Sequence, residues 1–286
     1  MDCGFVVLHY KAYDMTEQCV NTLIKTFNHS NIHIVVVDNG SGDFSGDRIK
    51  KQFAGNPQVN VLINEENLGF AKGNNVGYRF LKDKYKPDFI VVMNNDVLIK
   101  DSLFIEKINN IYIEKKFDVL GPDIQNPILN NHQNPIRLKP RSLNEIIHRY
   151  KVFCRKCFFP RTCYFLSLIK SKIIKKKKLV EKEYYLTNHE NPLLHGACVI
   201  LSNGFMRARD YCFNPKTFLY HEEDIFHQEC LRLKLKMVYS PKVYVEHLED
   251  VATNASFSSE IKKYIMRNQW LRDSSKILID ILEEEC

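Results

Sequence analysis

Along the first hundred residues, short continuous apolar runs alternate with longer stretches in which apolar residues recur at helical spacing. Four runs have the length and β-branched content of buried strands: Gly4-Phe5-Val6-Val7-Leu8-His9, Ile32-His33-Ile34-Val35-Val36-Val37, Val59-Asn60-Val61-Leu62-Ile63 and Phe89-Ile90-Val91-Val92-Met93. Between the first two, Cys19, Val20, Leu23, Ile24 and Phe27 share one helical face. Asp14, with Glu17 three residues on, reads as a capping box at the start of that helix. A further helix is predicted over 71–81. Strands separated by helices imply βαβ units and a mainly parallel sheet. In open sheets of that kind, ligands bind beyond the carboxyl ends of the strands. Three predicted strand ends carry polar clusters: Asp38-Asn39, Asn64 to Asn67, and Asn94-Asn95-Asp96. All three are expected to open onto one edge.

The pattern changes after about Asp123. Prolines at 127, 135 and 140 lead into a segment, 137–178, that holds fourteen Lys/Arg and one acid, Glu145. The chain's net charge is +7, so +13 sits here and the rest carries −6. Phe153, Phe158, Phe159, Tyr164, Phe165 and Leu166 are mixed into it. Regular pattern resumes with a strand over 195–202, a helix from near Glu222, and short strands at Met237-Val238-Tyr239 and Val243-Tyr244-Val245. A last helix is predicted over 259–282.

Composition is that of an ordinary soluble globular chain. No run approaches the apolar length that spans a bilayer, and Phe5-Val6-Val7-Leu8 is too short for the apolar core of a signal peptide. Nine cysteines, an odd number in a chain too long for a disulfide scaffold, fit free thiols in a reducing cytosol. Cys154, Cys157 and Cys163 have a spacing that invites zinc but lack a convincing second pair.

Asn94-Asn95-Asp96 offers a carboxylate and amide oxygens at a strand end, a composition suited to a hard divalent cation that completes its shell with phosphate oxygens and water. Taken alone, the tripeptide is better explained as a plain β-turn. Glu222-Glu223-Asp224 places three acids at a helix start, where they complement the helix dipole whatever else they do.

Five segments in order resemble the family-2 inverting glycosyltransferases of the GT-A fold, in particular the rhamnosyltransferase-like branch that builds bacterial surface polysaccharides. They are Val35 to Ser41, Asn67-Leu68-Gly69-Phe70-Ala71-Lys72-Gly73-Asn74-Asn75-Val76-Gly77, Met93 to Asp96, Phe218-Leu219-Tyr220-His221-Glu222-Glu223-Asp224, and Tyr239 to Val243 running on to His247. The resemblance implies a single GT-A-type α/β domain over 1–255, with a nucleotide-sugar-binding half (1–122), a basic insertion (123–190) and an acceptor or catalytic half (191–255). A C-terminal helix follows over 256–286. It further implies a nucleoside-diphosphate sugar donor and a glycan or lipid-linked saccharide acceptor. Asp38 would bind the base, flanked by Tyr10 or His9, while Asn39, Asn67, Lys72, Asn75, Asn94, Asn95 and His195 line the donor. Asp96 and His247 would hold Mg²⁺ or Mn²⁺. Glu223 matches the catalytic base and Glu222 its neighbour. The family's metal motif has an acid where Asn94 stands, and its base is usually Asp.

A nucleotidyltransferase would share the sheet and the metal, but His9-Tyr10-Lys11-Ala12-Tyr13 is not the Gly-rich, Arg-containing loop that such an enzyme carries after its first strand. A catalytically degenerate homologue acting as a binding module is the non-enzymatic alternative. The basic segment reads as a solvated insertion or as a face for an anionic membrane, which would put the protein on the inner surface of the cell membrane. No nucleic-acid-binding module accompanies it.

Overall fold

The computed structural model describes residues 1–173, 183–248 and 259–284. The run Lys175 to Lys178 and the expected boundary at 255 lie outside them. Ten strands form one mixed sheet: β1 (Asp2–His9), β2 (Asn31–Asp38), β3 (Val59–Ile63), β4 (Phe89–Asn94), β5 (Val97–Leu98), β6 (Val119–Asn126), β7 (Asn131–His132), β8 (His189–Glu190), β9 (Cys198–Ser202) and β10 (Met237–His247). Along the main path the order is β3-β2-β1-β4-β9-β6-β10-β5. β3, β2, β1 and β4 are parallel, β9 is antiparallel to β4 and β6, and β10 is parallel to β6.

The central strands are apolar throughout because both faces are covered. On β1, Phe5 and Val7 face a core shared with α1 (Tyr13–Thr26), α2 (Ser45–Gln52) and α4 (Phe104–Lys115). Val6 faces the other, shared with α3 (Gly69–Lys84), α7 (Asn203–Ala208) and α8 (Glu222–Arg232). The basic segment, which the sequence left without regular structure, contains α5 (Leu143–Phe158) and α6 (Pro160–Ile173). The C-terminal helix α9 (Glu260–Glu283) packs on α5 and α8 through Leu278, Ile279 and Ile281 against Ile146 and Ile225.

Three local expectations are corrected. α1 begins at Tyr13 with Ala12 as its cap, and Glu17 accepts from the Tyr13 hydroxyl (3.1 Å), so Asp14 and Glu17 form no capping box. A capping box does form between Ser142 and Glu145, at the start of α5. The two short strands near 240 are one strand, β10, with a register shift between Ser240 and Tyr244 where Pro241 has no N–H to donate.

Two glycines of α3 are required by the fold. A Cβ on Gly73 or Gly77 would lie 2.7 Å from Leu8 Cδ1 or 2.6 Å from Val6 Cγ1, so these positions let the helix settle on β1. Asn75, on the same helix, is buried and fully engaged. Its Oδ1 accepts from the backbone N–H groups of Cys212 and Phe213 (2.9 and 3.0 Å), and its Nδ2 donates to the Phe213 carbonyl (2.8 Å). Asn75→Ala would strand two buried donors and one acceptor, so we expect a loss of about 2–4 kcal/mol in urea denaturation. Unchanged stability would show that this clamp contributes nothing.

Candidate active site

The parallel strands bring the ends of β1, β2, β3 and β4 to one edge, as the sequence implied. Most of the polar residues there hold one another. Asp38 is buried, with Oδ1 accepting from the Ser41 N–H (3.1 Å) and hydroxyl. Asn39 ties the 64–69 loop to the end of β2. Its Nδ2 donates to Asn67 Oδ1 and the Gly69 carbonyl (both 3.0 Å), and its Oδ1 accepts from Asn64 Nδ2 and Leu68 N–H (both 3.2 Å). Asn67 Oδ1 also accepts from the Gly69 N–H.

His9 is fully enclosed, one ring nitrogen on Thr16 Oγ1 (2.7 Å) and the other on Ser45 Oγ (2.8 Å). Burial lowers its pKa against the pull of Asp38 and Asp43. Asn95 joins the same network by donating to Thr16 Oγ1 (2.8 Å). His9 and Asn95 therefore shape the strand ends from inside. Of the two candidates for flanking a base, Tyr10 keeps open surface, and Lys72 is exposed on the first turn of α3.

At the end of β4 the chain turns through Asn95 and Asp96 into β5, which pairs antiparallel with the end of β10, Val97 opposite His247. The Asp96 carbonyl accepts from the Leu248 N–H (3.0 Å), and Asp96 Oδ1 stands 3.2 Å from His247 Nε2. That oxygen is buried and makes no aligned hydrogen bond. His247 Nδ1 donates to Gln133 Oε1 at 2.6 Å, which turns Nε2 toward Asp96. A carboxylate oxygen and a ring nitrogen facing each other at 3.2 Å in a buried site could share a cation. One carboxylate and one imidazole suit Mn²⁺ better than Mg²⁺. Among the described residues no group of three or more His, Cys, Asp or Glu is placed to hold a metal, so a cation here would take its other ligands from diphosphate and water. Cys154, Cys157 and Cys163 belong to no such group and are free thiols.

His195 lies beside this pair, its ring 5.8 Å from that of His247. Its Nδ1 accepts from the Ala197 N–H (3.1 Å), and the Ala197 carbonyl accepts from the Asn94 N–H (2.9 Å). Burial, then His247, pushes the His195 pKa down to about 4 against Asp96, so the ring is neutral near pH 7.

The three acids of α8 diverge. Asp224 is held by Arg141 (2.8 and 3.0 Å) and His221 Nδ1 (2.9 Å). Burial would raise its pKa, but the His221 hydrogen bond and the Arg141 charge outweigh it and keep it low. Glu222 turns inward toward Thr217, and burial together with the Glu223 charge raises it to about 8. Glu223 alone of the three keeps open surface. It rests against Gly196, where a Cβ would approach its Oε1 to 2.9 Å, and its pKa is also raised, chiefly by burial. Tyr220 and His221 precede it with φ of 75° and 63°, a pair of left-handed residues that α9 secures. Ser275 Oγ meets His221 Nε2 (3.1 Å), and Ser274 donates to the Leu219 carbonyl (2.9 Å).

Sequence reasoning missed Gln133, Arg141 and Thr16. Nothing in the Pro-rich stretch singles out Gln133. His221, directly before three acids, carries a recognisable helix-start position.

A sheet with a nucleotide-type parallel half and an acid, an imidazole and a half-open glutamate at its carboxyl edge defines a glycosyltransferase-like α/β protein of GT-A type. Residues 5–176 match the description "Glycosyl transferase family 2", and the chain belongs to that family. The low-salt glycan biosynthesis hexosyltransferase Agl10 of Haloferax volcanii is 22% identical over 275 residues, 96% of this chain and 76% of that protein. Glycosyltransferase GlyG of Streptococcus pneumoniae is 30% identical over 115 residues, 40% of this chain and 36% of its own length. The fold is shared with S. aureus TarS (TM-score 0.54, 14% identity, 97% of this chain and 71% of that one). It is shared too with the mannosyltransferase PcManGT of Pyrobaculum calidifontis, solved with GDP-Man and Mn²⁺ (0.54, 11%, 96% and 73%).

A carboxyl whose folded pKa lies above its unfolded value stabilises most below the unfolded value and loses that contribution as pH rises through the folded one. For Glu222 that window runs from about 4.5 to about 8. The melting temperature of the wild type should therefore fall relative to Glu222→Gln across that window, the two converging at the acid end. Parallel curves would contradict the buried, inward-facing carboxyl.

Proposed function

We propose that the protein is an inverting glycosyltransferase that moves a hexose or deoxyhexose, rhamnose-like donors included, from a nucleoside-diphosphate sugar to a glycan or lipid-linked saccharide. The observation that carries the reading is the meeting of Asp96, just before β5, with His247 at the end of β10, while Glu223 of α8 rests against Gly196. Polysaccharide synthesis for the cell surface, on the cytoplasmic face of the membrane, is the setting this reading favours. The hexosyltransferase name of the Haloferax volcanii relative supports the sugar class, and PcManGT bound to GDP-Man and Mn²⁺, like TarS bound to UDP-GlcNAc, supports the donor class.

The acceptor hydroxyl attacks the anomeric carbon on the face opposite the diphosphate. Its oxygen forms the new glycosidic bond while the bond to the diphosphate oxygen breaks. Glu223 takes the hydroxyl proton as the bond forms. Its raised pKa makes it a stronger base than a free carboxylate and requires a pH high enough to ionise it. Asp96 and His247 would hold Mn²⁺ or Mg²⁺, which supplies Lewis-acid stabilisation of the charge on the departing diphosphate. Asp38 with Tyr10 takes the base end, Asn67, Lys72 and Asn94 lie along the diphosphate and sugar, and neutral His195 borders the sugar. In this reading residues 1–122 serve the donor and 191–255 the acceptor, with 123–190 and the C-terminal segment 256–286, which contains α9, as the surrounding support.

Glu223→Gln should lower kcat by about 10²–10⁴-fold, with donor KM little changed, in a turnover assay across a panel of nucleotide-sugars. Asp96→Asn should reduce turnover and weaken its dependence on added Mn²⁺. Both variants keeping full activity would sink the assignment. A wild type that binds donors yet turns none over would favour the degenerate homologue. The acid limb of kcat/KM should lie above the ordinary Glu value of 4.5 and should disappear in Glu223→Gln; a limb at or below that value would remove Glu223 as base.

A further inference from the structure

α6 is a helix that the rest of the fold leaves almost uncovered. None of its described side chains, over 160–169, is buried. Yet the helix and the corner before it are rich in large apolar groups. Phe158 is 77% exposed, Phe165 64% and Leu166 57%, and Phe159, Leu168 and Ile169 are exposed beside them. Phe158 and Phe159 stack edge-on at 4.6 Å, which gives the corner a two-ring tip. One flank of α6 rests on α9 through Tyr164 against Tyr264, with ring centroids 5.3 Å apart. An apolar patch of this kind marks an interaction surface.

Charge decides what the surface fits. Lys151, Arg155 and Arg161 are exposed around the same corner, Lys156 is half-buried, and no acid occurs from Lys151 to Ile169. A second copy would bring the same positive charge face to face with itself. A nucleic acid would neutralise the charge but has no use for exposed Leu166, Leu168 and Ile169. A bilayer with anionic lipids satisfies both at once, with headgroups for the Arg and Lys side chains and the acyl boundary for the Phe, Leu and Ile side chains.

We propose that the α5–α6 corner, with Phe158, Phe159, Phe165 and Leu166 at its tip and Lys151, Arg155 and Arg161 around it, docks the protein on an anionic membrane surface. The corner is rigidly coupled to α8, because Ile146 of α5 packs with Ile225 of α8 and Leu278 of α9, and Arg141 just before α5 pairs with Asp224. Docking therefore sets the height of the α8 start above the lipid. That this serves a lipid-linked acceptor rests on the role of Glu223 proposed above; the docking itself does not.

Co-sedimentation of the full chain with phosphatidylcholine vesicles, with and without phosphatidylglycerol, tests the surface without any turnover, so it fails or succeeds independently of the transferase reading. We expect binding only where phosphatidylglycerol is present, weakening steeply as salt is raised. Arg155→Glu with Arg161→Glu should cut the partition coefficient by at least about 20-fold. Phe158→Ser with Phe165→Ser should cut it by roughly tenfold or more. Circular dichroism would establish that both variants are folded, and if the Phe pair is not, the Arg pair and the wild-type salt dependence decide. Absence of binding, equal binding to neutral vesicles, or variants that bind like the wild type would each overturn the proposal. So would a dimer that the Phe pair dissociates while both vesicle types are ignored, which would assign the face to a second copy.

Discussion

The two-residue pairing of β5 with the end of β10 is the contact on which the candidate site depends. β4 delivers Asp96 to the carboxyl edge, but the chain must then cross to the far side of the sheet for Asp96 to meet His247. β5 makes that crossing with Val97 and Leu98 both buried, and its backbone bonds to β10 fix the approach. The Asp96 carbonyl bonded to the Leu248 N–H closes the same junction from the other strand. The Lys100–Glu246 ion pair beside it is largely exposed and adds little to this geometry. Backbone pairing is a better instrument for placing two metal-type ligands than a pair of loops, because it removes most of their freedom before any cation arrives. Gln133, held by its N–H to the Ile124 carbonyl, then sets which nitrogen of His247 faces Asp96.

Around this junction the polar residues divide into those that shape the edge and those with surface left to touch a ligand. His9, Thr16, Ser45 and Asn95 form one buried hydrogen-bonded chain, and Asn39 anchors the loop after β3. Buried polar groups must be partnered, so these side chains satisfy one another and fix the strand ends in register. Glu223 differs because its two acidic neighbours are drawn inward, Asp224 by Arg141 and His221, Glu222 toward Thr217. The acid between them is left at the opening. The C-terminal helix takes part in this sorting, since Ser274 and Ser275 secure the strained turn from which α8 starts.

Much of the fold was readable from the chain. Val59–Ile63 is a strand with the bounds its apolar run suggests, and the continuous runs of β1, β2 and β4 report burial on both faces. The end-of-strand clusters at Asp38, Asn64 to Asn67 and Asn94 to Asp96 share an edge because parallel topology requires it. What the sequence hid was of two kinds. Local competition misled the reading of α1, where the Tyr13 hydroxyl engages Glu17 and a capping box looks equally plausible on paper. Long-range pairing was the other kind: no periodicity in Val97-Leu98 reveals a partner strand at the far end of the chain, and no feature of Gln133 announces its histidine. α6 was obscured because its described residues, over 160–169, form no buried stripe to impose helical spacing on the apolar ones. Polar side chains were the hardest to read, since Asn75 and Asn67 look alike in sequence while one clamps a buried backbone and the other sits at the edge of the opening.

In the function proposed above, Asp96 and His247 would hold one cation, their positions set by β5 and β10 before any ligand arrives. Calorimetric titration of Mn²⁺ into the protein with a nucleoside diphosphate present tests it most directly. A single site is expected in the wild type, weakened at least about tenfold by either Asp96→Asn or His247→Ala, and by the two together no more than slightly beyond the stronger single variant. Mn²⁺ binding of wild-type strength in His247→Ala, or losses from the two variants that simply add, would contradict it.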